Sequence, residues 1–401
     1  MPQTGPLSAL TEDQTGRGGR PANGTATTVE NPPQSAVAPE TAPPRPATDE
    51  PEPPAAATVT VTVTVTGEFT PATTTDTPVS PATLTEDPAP PSPVTERPAP
   101  HAHTVVTKEL AHRTTETDVF PARWTRISDT RFRFTAHWPA AHGFFGPVDD
   151  RHQDPMVVGE TLRQASMVLA HAEFGAPADT HFVMWDLTVR VDPSALLLAD
   201  AAEPVEFDVV CSEVRRRGSG LHSMRTTMEF RRAGRLVARG TGSTGCTSPR
   251  AYRRLRADKL SALDTPVPLL PGIAPRTAGR ARAEDVVLAP TDRPGVWQLR
   301  VDTGHPVLFP RPNDHVPGMV LFEAARQAAT AASGLRPFLP ATMTAGFTRY
   351  AELHTPCRIE AEVLQERPGE VTVRVSGRQD GESVFTAVLT AARPPRVRSL
   401  S

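Results

Sequence analysis

Lysine is nearly missing: of 42 basic residues only Lys108 and Lys259 are lysines. Arginine supplies the rest, which reads as a bias towards GC-rich codons and not as chemistry. Cysteine is also sparse. Cys211, Cys246 and Cys357 show no Cys-x-x-Cys spacing, so neither a zinc site nor a disulfide framework is expected. Cys357, in HTPCRIE, fits a buried strand position. No apolar run approaches the ~18 residues of a membrane span, and no signal-peptide-like apolar segment opens the chain. A cytoplasmic protein in a reducing compartment is the simplest expectation. No grouping of Ser, Cys or His resembles a nucleophilic triad, and no basic recognition helix or stripe points to nucleic acid. No metal site and no cofactor are expected.

The first 100 residues lack aromatics and basic charge. They hold one aromatic, Phe69, against 21 of the 45 prolines, and 12 acidic residues against 4 basic ones. Such a segment cannot bury enough apolar surface to offset its ordering entropy, so residues 1–103 are expected to form a disordered low-complexity tail. The run TVTVTVTVTG (Thr58–Gly67) alternates like a strand but has no neighbour to pair with, and is read as a repeat. The tail carries about eight net negative charges of an overall −3, which leaves the other 301 residues near +5. That excess is mild, yet it leaves arginines to spare for an anionic small molecule.

The folded part starts near Thr104. TRFRFTAHW (Thr130–Trp138) alternates as a strand. DPMVVGETLRQASMVLAHAEFG (Asp154–Gly175) reads as a helix opened by Asp-Pro and stopped by glycine. THFVMWDLTVRV (Thr180–Val191) and VEFDVVCSEV (Val205–Val214) are strands. LHSMRTTMEF and LVARGTGSTGC form a hairpin around Ala233-Gly234. After a linker over residues 247–283 the order recurs: a strand at Gly295–Asp302, a helix at Pro317–Gly334, a strand at Thr344–Leu353, then RIEAEVLQE, EVTVRVSGR and SVFTAVLTA. The repeats are set at 104–246 and 284–393, with a short tail at 394–401. Shifting by 163 lays His142–Ala165 on His305–Ala328 without a gap, and nine of the 24 positions are identical. The chain is therefore expected to be α+β, two units each with a sheet covering one apolar helix.

Those helices are apolar all round, which predicts burial. Yet each carries a charged trio at i, i+3 and i+4: Glu160, Arg163 and Gln164 in the first, Glu323, Arg326 and Gln327 in the second. Buried ions are costly unless paired or solvated. Either the glutamates and arginines lock the helices together, or they line a cleft where the repeats meet. The convergence of polar groups in apolar surroundings favours the cleft.

PGMVLFEAARQ resembles the helix start of hotdog-fold acyl-thioester enzymes such as the 3-hydroxyacyl-carrier-protein dehydratases. A closer resemblance, over about Val105 to Ala391, is to the A-factor (γ-butyrolactone) biosynthesis hotdog family of actinomycetes. It rests on the double repeat, the Glu-x-x-Arg-Gln of each, and the strings VFPARW, GFFGP, DPMVVGETLRQ, AEFGAP…HFVMWDL, HPVLF…DHVPGMVLFEAARQA and FTRYAEL. The resemblance implies a tandem double hotdog, packed as a pseudo-dimer within one chain. It also implies an acyltransferase that condenses a β-ketoacyl thioester, on acyl carrier protein (or coenzyme A), with dihydroxyacetone phosphate. The product is a precursor of a butyrolactone, butenolide or furan signal controlling antibiotic production.

Such a transfer needs a base at the hydroxyl, donors for the oxyanion and exclusion of water. A glutamate whose pKa burial raises towards neutrality would suit as base, and Arg163 or Arg326 could grip the phosphate or polarise the carbonyl. Glu160 with Arg326, across the repeats, is the expected pair, with Glu323 and Arg163 as its mirror. Gln164, Gln327, His152 and His315 are expected near the substrate. Gly318 can offer its N–H to an oxyanion, whereas Pro155 at the matching position has none, so one full site is expected. Phe309 stands where the dehydratases of this fold have their catalytic histidine, which argues against dehydration. His305 and His315 read first as structural. A hotdog thioesterase using water, or a non-catalytic acyl or butyrolactone binder, would fit the same residues.

Overall fold

A computed structural model describes residues 103–392 apart from 219, 262 and 368. All of them fall in one compact unit, Pro91–Ser401. The expected tail, with its Thr58–Gly67 repeat, and the segment 394–401 lie outside the described residues.

The first repeat runs β1 (Thr104–Val105), β2 (Pro121–Arg126), β3 (Arg131–Ala136), α1 (Met156–Ala172), β4 (His181–Val191), β5 (Val205–Arg217), β6 (Gly220–Arg232) and β7 (Arg235–Thr247). Three short helices follow: α2 (Pro249–Leu255), α3 (Ala257–Leu260) and α4 (Pro275–Ala278). The second repeat runs β8 (Leu288–Pro290), β9 (Val296–Leu299), α5 (Gly318–Ser333), β10 (Pro340–Phe347), β11 (Arg358–Arg367), β12 (Glu370–Gln379) and β13 (Glu382–Ala392). Among the described residues the strands form one antiparallel sheet, ordered β1-β2-β3-β5-β6-β7-β4-β10-β13-β12-β11-β9-β8. Apart from the short edge strand β1, the order reads as its own mirror image about the β4–β10 pairing, where Thr188 faces Thr344. The repeats therefore share one sheet, and each contributes one long helix to the core.

Local signals explain the main boundaries. The Asp154 carboxylate accepts the Met156 N–H at 2.9 Å and starts α1. Gly334, left-handed at φ 69°, ends α5. Ala233 and Gly234, at φ 46° and 77°, make the β6–β7 turn that its sequence demands. Both helices are buried nearly all round, as their composition requires. Leu162 of helix α1 packs directly against the glycines of β7. A Cβ at Gly240 would stand 2.5 Å from a Leu162 methyl, and one at Gly242 3.1 Å from the other. Near the seam Gly159 meets Phe322, its counterpart in the 163-residue register.

Two elements differ from expectation. The strand expected at Thr344–Leu353 ends at Phe347. The next residues fold back over the start of α5, where Val316 N–H donates to the Ala351 carbonyl at 2.8 Å. The 247–283 linker also does more than connect, since Tyr252 and Leu255 of its first helix, α2, wall the cavity described below. Cys357 is buried, just ahead of β11.

Candidate active site

One turn of α1 places Glu160, Arg163 and Gln164 together. Glu160 is fully buried and its carboxylate is saturated. Arg163 donates through Nε at 3.0 Å and Nη2 at 2.7 Å, Gln164 through Nε2 at 2.6 Å and Arg113 through Nε at 3.1 Å. Burial alone would raise the Glu160 pKa, but the charges of Arg113 and Arg163 hold it at about 2. Helix α5 repeats the arrangement. Glu323 accepts from Arg326 at 2.9 and 2.6 Å, from Gln327 at 2.6 Å and from Arg280 at 2.8 Å. Burial pushes its pKa up, and Arg280 and Arg326 bring it down to about 2.

Two expectations are corrected here. Neither glutamate is raised towards neutrality, because burial arrives with two guanidinium partners. The Glu160–Arg326 pair is not formed either, because i, i+3 spacing brings each glutamate onto the arginine of its own helix. Gln164 and Gln327 work on backbone. Gln164 accepts from Phe120 N–H and donates to the Asp118 carbonyl; Gln327 does the same with Val287 and Asp285. His305 is buried, with Nε2 on Asp285 at 3.2 Å and Nδ1 accepting the Val307 and Leu308 N–H groups. His152 is held by Asp149 at 2.9 Å, away from the cavity wall.

Arg113 and Arg280 cross between repeats. Arg113 Nη1 donates to the Val307 carbonyl at 2.6 Å, and Arg280 Nη1 to the Phe144 carbonyl at 2.8 Å. Both acceptors belong to the opposite repeat and are counterparts in the 163 register. The two arginines were missed in the sequence because their register is 167. The signal is legible once that offset is tried: AHRTTETDV (Ala111–Val119) lies on AGRARAEDV (Ala278–Val286).

The two clusters are built alike and finished differently. Around Glu323, Asp154 adds a second carboxylate, 3.3 Å from Arg280 Nη1, so two guanidiniums meet two acids. Gly279, next to α4, packs against Arg326, whose side chain is 1% exposed. That copy is neutral and closed. Around Glu160 the counterpart of Asp154 is Pro317, and the counterpart of Val148 is Arg311. Here Arg113, Arg163 and Arg311 face one carboxylate. The Arg163 side chain is 22% exposed and opens, with Arg113 and Arg311, into a cavity of about 820 Å³.

Arg311 has no ion-pair partner among the described residues. Its Nη2 donates to His112 Nδ1 at 2.6 Å. His112 Nε2 in turn meets His171 Nε2 at 2.8 Å, and His171 Nδ1 meets the Ala176 carbonyl at 2.8 Å. The carbonyl can only accept, so each ring donates away from Arg311 and both tautomers follow. Burial first, then Arg311 and Arg163, push the His112 pKa down to about 3, so the ring stays neutral. Burial and the charges of Arg163 and Arg113 also lower the pKa of Arg311. Three guanidiniums, Arg113, Arg163 and Arg311, thus converge on one part of the cavity wall, against Glu160 and the charge that Asp118 exerts on Arg113, and this local positive excess suits an anion.

The start of α5 forms another part of the same wall. Pro317, Gly318 and Met319 line the cavity, and no side chain caps this helix. Its Gly318 and Met319 N–H groups come ahead of the first intrahelical bond, Val320 N–H to the Pro317 carbonyl. At α1 the corresponding end is closed by Asp154 and Pro155. The wall continues through His315, Tyr350 and the linker's Tyr252. Of the residues expected from sequence, Arg163, Gly318 and His315 reach the cavity. Glu160 and Gln164 support it from behind, and Glu323, Arg326, Gln327 and His152 do not line it.

Known proteins share this chain's pattern. A family profile described as the A-factor biosynthesis hotdog domain matches residues 94–248 and 262–393. A protein of Streptomyces virginiae named 2-oxo-3-(phosphooxy)propyl 3-oxoalkanoate synthase is 46% identical over 287 residues, covering 71% of this chain and 97% of that one. Proteins of the same name from Streptomyces coelicolor and Streptomyces griseus are 45% and 44% identical over 292 residues, covering 91% and 95% of their lengths. With the mirrored sheet, the two buried helices and these matches, the chain belongs to the A-factor biosynthesis hotdog family.

Proposed function

We propose that the protein is an acyltransferase. It joins a 3-oxoacyl thioester, carried on acyl carrier protein or coenzyme A, to the hydroxyl of dihydroxyacetone phosphate, giving a 2-oxo-3-(phosphooxy)propyl 3-oxoalkanoate and a free thiol. The observation that carries this reading is the meeting, in one cavity, of a cluster of three arginines and an uncapped helix N-terminus. The arginines take the dianionic phosphate of the triose, with Arg163 and Arg113 pre-positioned by Glu160 and Arg311 by His112. Gly318 and Met319 N–H groups receive the oxyanion that forms as the hydroxyl attacks the thioester carbonyl. Glu160, saturated and ionised, serves as anchor for the arginines and not as base. The ester so formed is the precursor of a γ-butyrolactone-type signal.

The experiment is thiol release from a 3-oxoacyl thioester, with and without dihydroxyacetone phosphate, with the ester identified by mass spectrometry. Thiol release should depend on the triose phosphate and match ester formed. Equal release in its absence would make the protein a thioesterase, and binding without turnover would make it an acyl-chain receptor.

A further inference from the structure

The condensation needs a proton acceptor, and the glutamates do not supply one. The cavity wall holds another candidate. His315 lies three residues before Gly318, part-buried, with its ring on the cavity. Its Nδ1 is 3.0 Å from Asp314 Oδ1. Asp314 is itself fixed: its Oδ1 accepts the Tyr252 hydroxyl at 2.5 Å and its Oδ2 accepts Arg256 Nε at 2.7 Å. Arg256 also clamps Glu352 through both terminal nitrogens, at 2.6 and 2.8 Å, and lies over the Tyr350 ring at 4.5 Å. Tyr350 meets His315 edge-on, with centroids 4.6 Å apart, and His181 stacks on Tyr252 at 3.7 Å. The His315 ring is thus held by Tyr252 of the linker and Tyr350 of the segment after β10, with His181 of β4 backing Tyr252.

The protonation pattern follows from these contacts. Burial would raise the Asp314 pKa, but hydrogen bonds from His315, Tyr252 and Arg256 hold it below the ordinary carboxylate range. An ionised carboxylate only accepts, so His315 Nδ1 carries the proton and Nε2 presents its lone pair. Nε2 has no hydrogen-bond partner among the described residues. The carboxylate also stabilises the imidazolium that forms on protonation.

We propose that His315, oriented by Asp314, is the general base of the condensation, a role that rests on the acyltransfer reading above. His315 Nε2 takes the hydroxyl proton as the triose oxygen forms its bond to the thioester carbonyl carbon. The tetrahedral oxyanion then collapses, the C–S bond breaks, and the departing thiolate takes the proton back from Nε2. Ester and thiol are the balanced products, and the base is regenerated. Asp314 is a positioning residue, and Arg256 and Tyr252 hold it in turn.

The test is His315→Gln, assayed for ester formation from a 3-oxoacyl-coenzyme A and dihydroxyacetone phosphate. Removal of a general base costs about 10²- to 10⁴-fold in kcat, with KM for the triose phosphate nearly unchanged because the arginines remain. The wild type supplies a second measurement that no folding defect can obscure. Its kcat, followed over roughly pH 8 to 5, should fall as pH is lowered, because a base acts only while it is free of its proton. The ionisable neighbours Asp314, Glu352, Arg256, Arg311, Tyr252, Tyr350 and His181 all remain in place for that profile. A folded His315→Gln variant with wild-type kcat, or a wild-type rate flat across that range, would overturn the assignment. Wild-type protein that forms no ester would overturn the acyltransfer reading and this role with it. Ester from wild type and variant alike would remove only the base.

Discussion

Replacing Arg311 by methionine should separate binding from stability. Among the described residues Arg311 makes no ion pair, and its Nη2 donates to the neutral His112 ring. Its charge stands with those of Arg113 and Arg163, whose hydrogen-bonded carboxylate is that of Glu160. Methionine keeps much of the apolar stem's packing and removes the repulsion. Folding stability should therefore hold or rise slightly. Function should move the other way. A hydrogen bond to a charged group contributes about 1.5–3 kcal/mol, so loss of one arginine–phosphate contact should raise KM for dihydroxyacetone phosphate roughly 10- to 150-fold, at 1.4 kcal/mol per tenfold. Thiol release titrated with the triose phosphate measures the first quantity, and a urea midpoint the second. A KM within twofold of wild type, or a marked loss of stability, would refute the reasoning. The first result would mean that Arg311 does not meet the phosphate. The second would mean that its charge is compensated.

Other expectations follow from the same asymmetry. Arg326→Ala, in the closed copy, leaves Glu323 buried and short of a partner, so stability should fall by about 3–5 kcal/mol in urea denaturation; a change below 1 kcal/mol would disagree. Gly318→Pro copies Pro155. It should fit the first helical turn, since Pro317 already has the extended backbone (φ −59°, ψ 141°) that precedes proline, and a new Cβ would meet only the flexible Met184 methyl. If the Gly318 N–H binds the oxyanion, kcat should drop about 10²–10³-fold with little change in melting temperature. Acid should weaken the fold in two windows. His112 has a folded pKa of about 3 against an ordinary 6.5, so the unfolded chain takes up the extra proton and stability is lost as pH falls from 6.5 towards 3. Glu160 and Glu323, at about 2 against 4.5, add a loss as pH falls from 4.5 towards 2. Urea midpoints that stay level from pH 7 to 4 would contradict this.

The duplicated helix was legible because nothing intervenes between His142 and Ala165: the 163-residue register carries Glu, Arg and Gln across intact. Both helices, the β6–β7 turn and most strands followed from periodicity and glycine placement. The pairing of the charges was not legible. Two glutamates and two arginines on pseudo-equivalent helices allow exchange across the seam, and only coordinates show that Arg113 and Arg280 make the crossing. Those two arginines were hidden by a four-residue change of register between Asp118 and His142. Arg311 and Asp314 lie in a loop, RPNDHVPG, whose conformation depends on the linker helix bearing Tyr252 and Arg256, far away in sequence. The end of β10 was misplaced because TRYAEL has strand-like composition, yet its backbone turns to meet Val316.

If the duplicated charge motif yields one open anion-binding site and one closed copy, the chain takes up a single triose phosphate. Calorimetric titration of the whole chain with dihydroxyacetone phosphate tests it most directly. One triose phosphate should bind per chain, with affinity sharply reduced in Arg311→Met. Two bound per chain, none, or one whose affinity ignores Arg311 would contradict it.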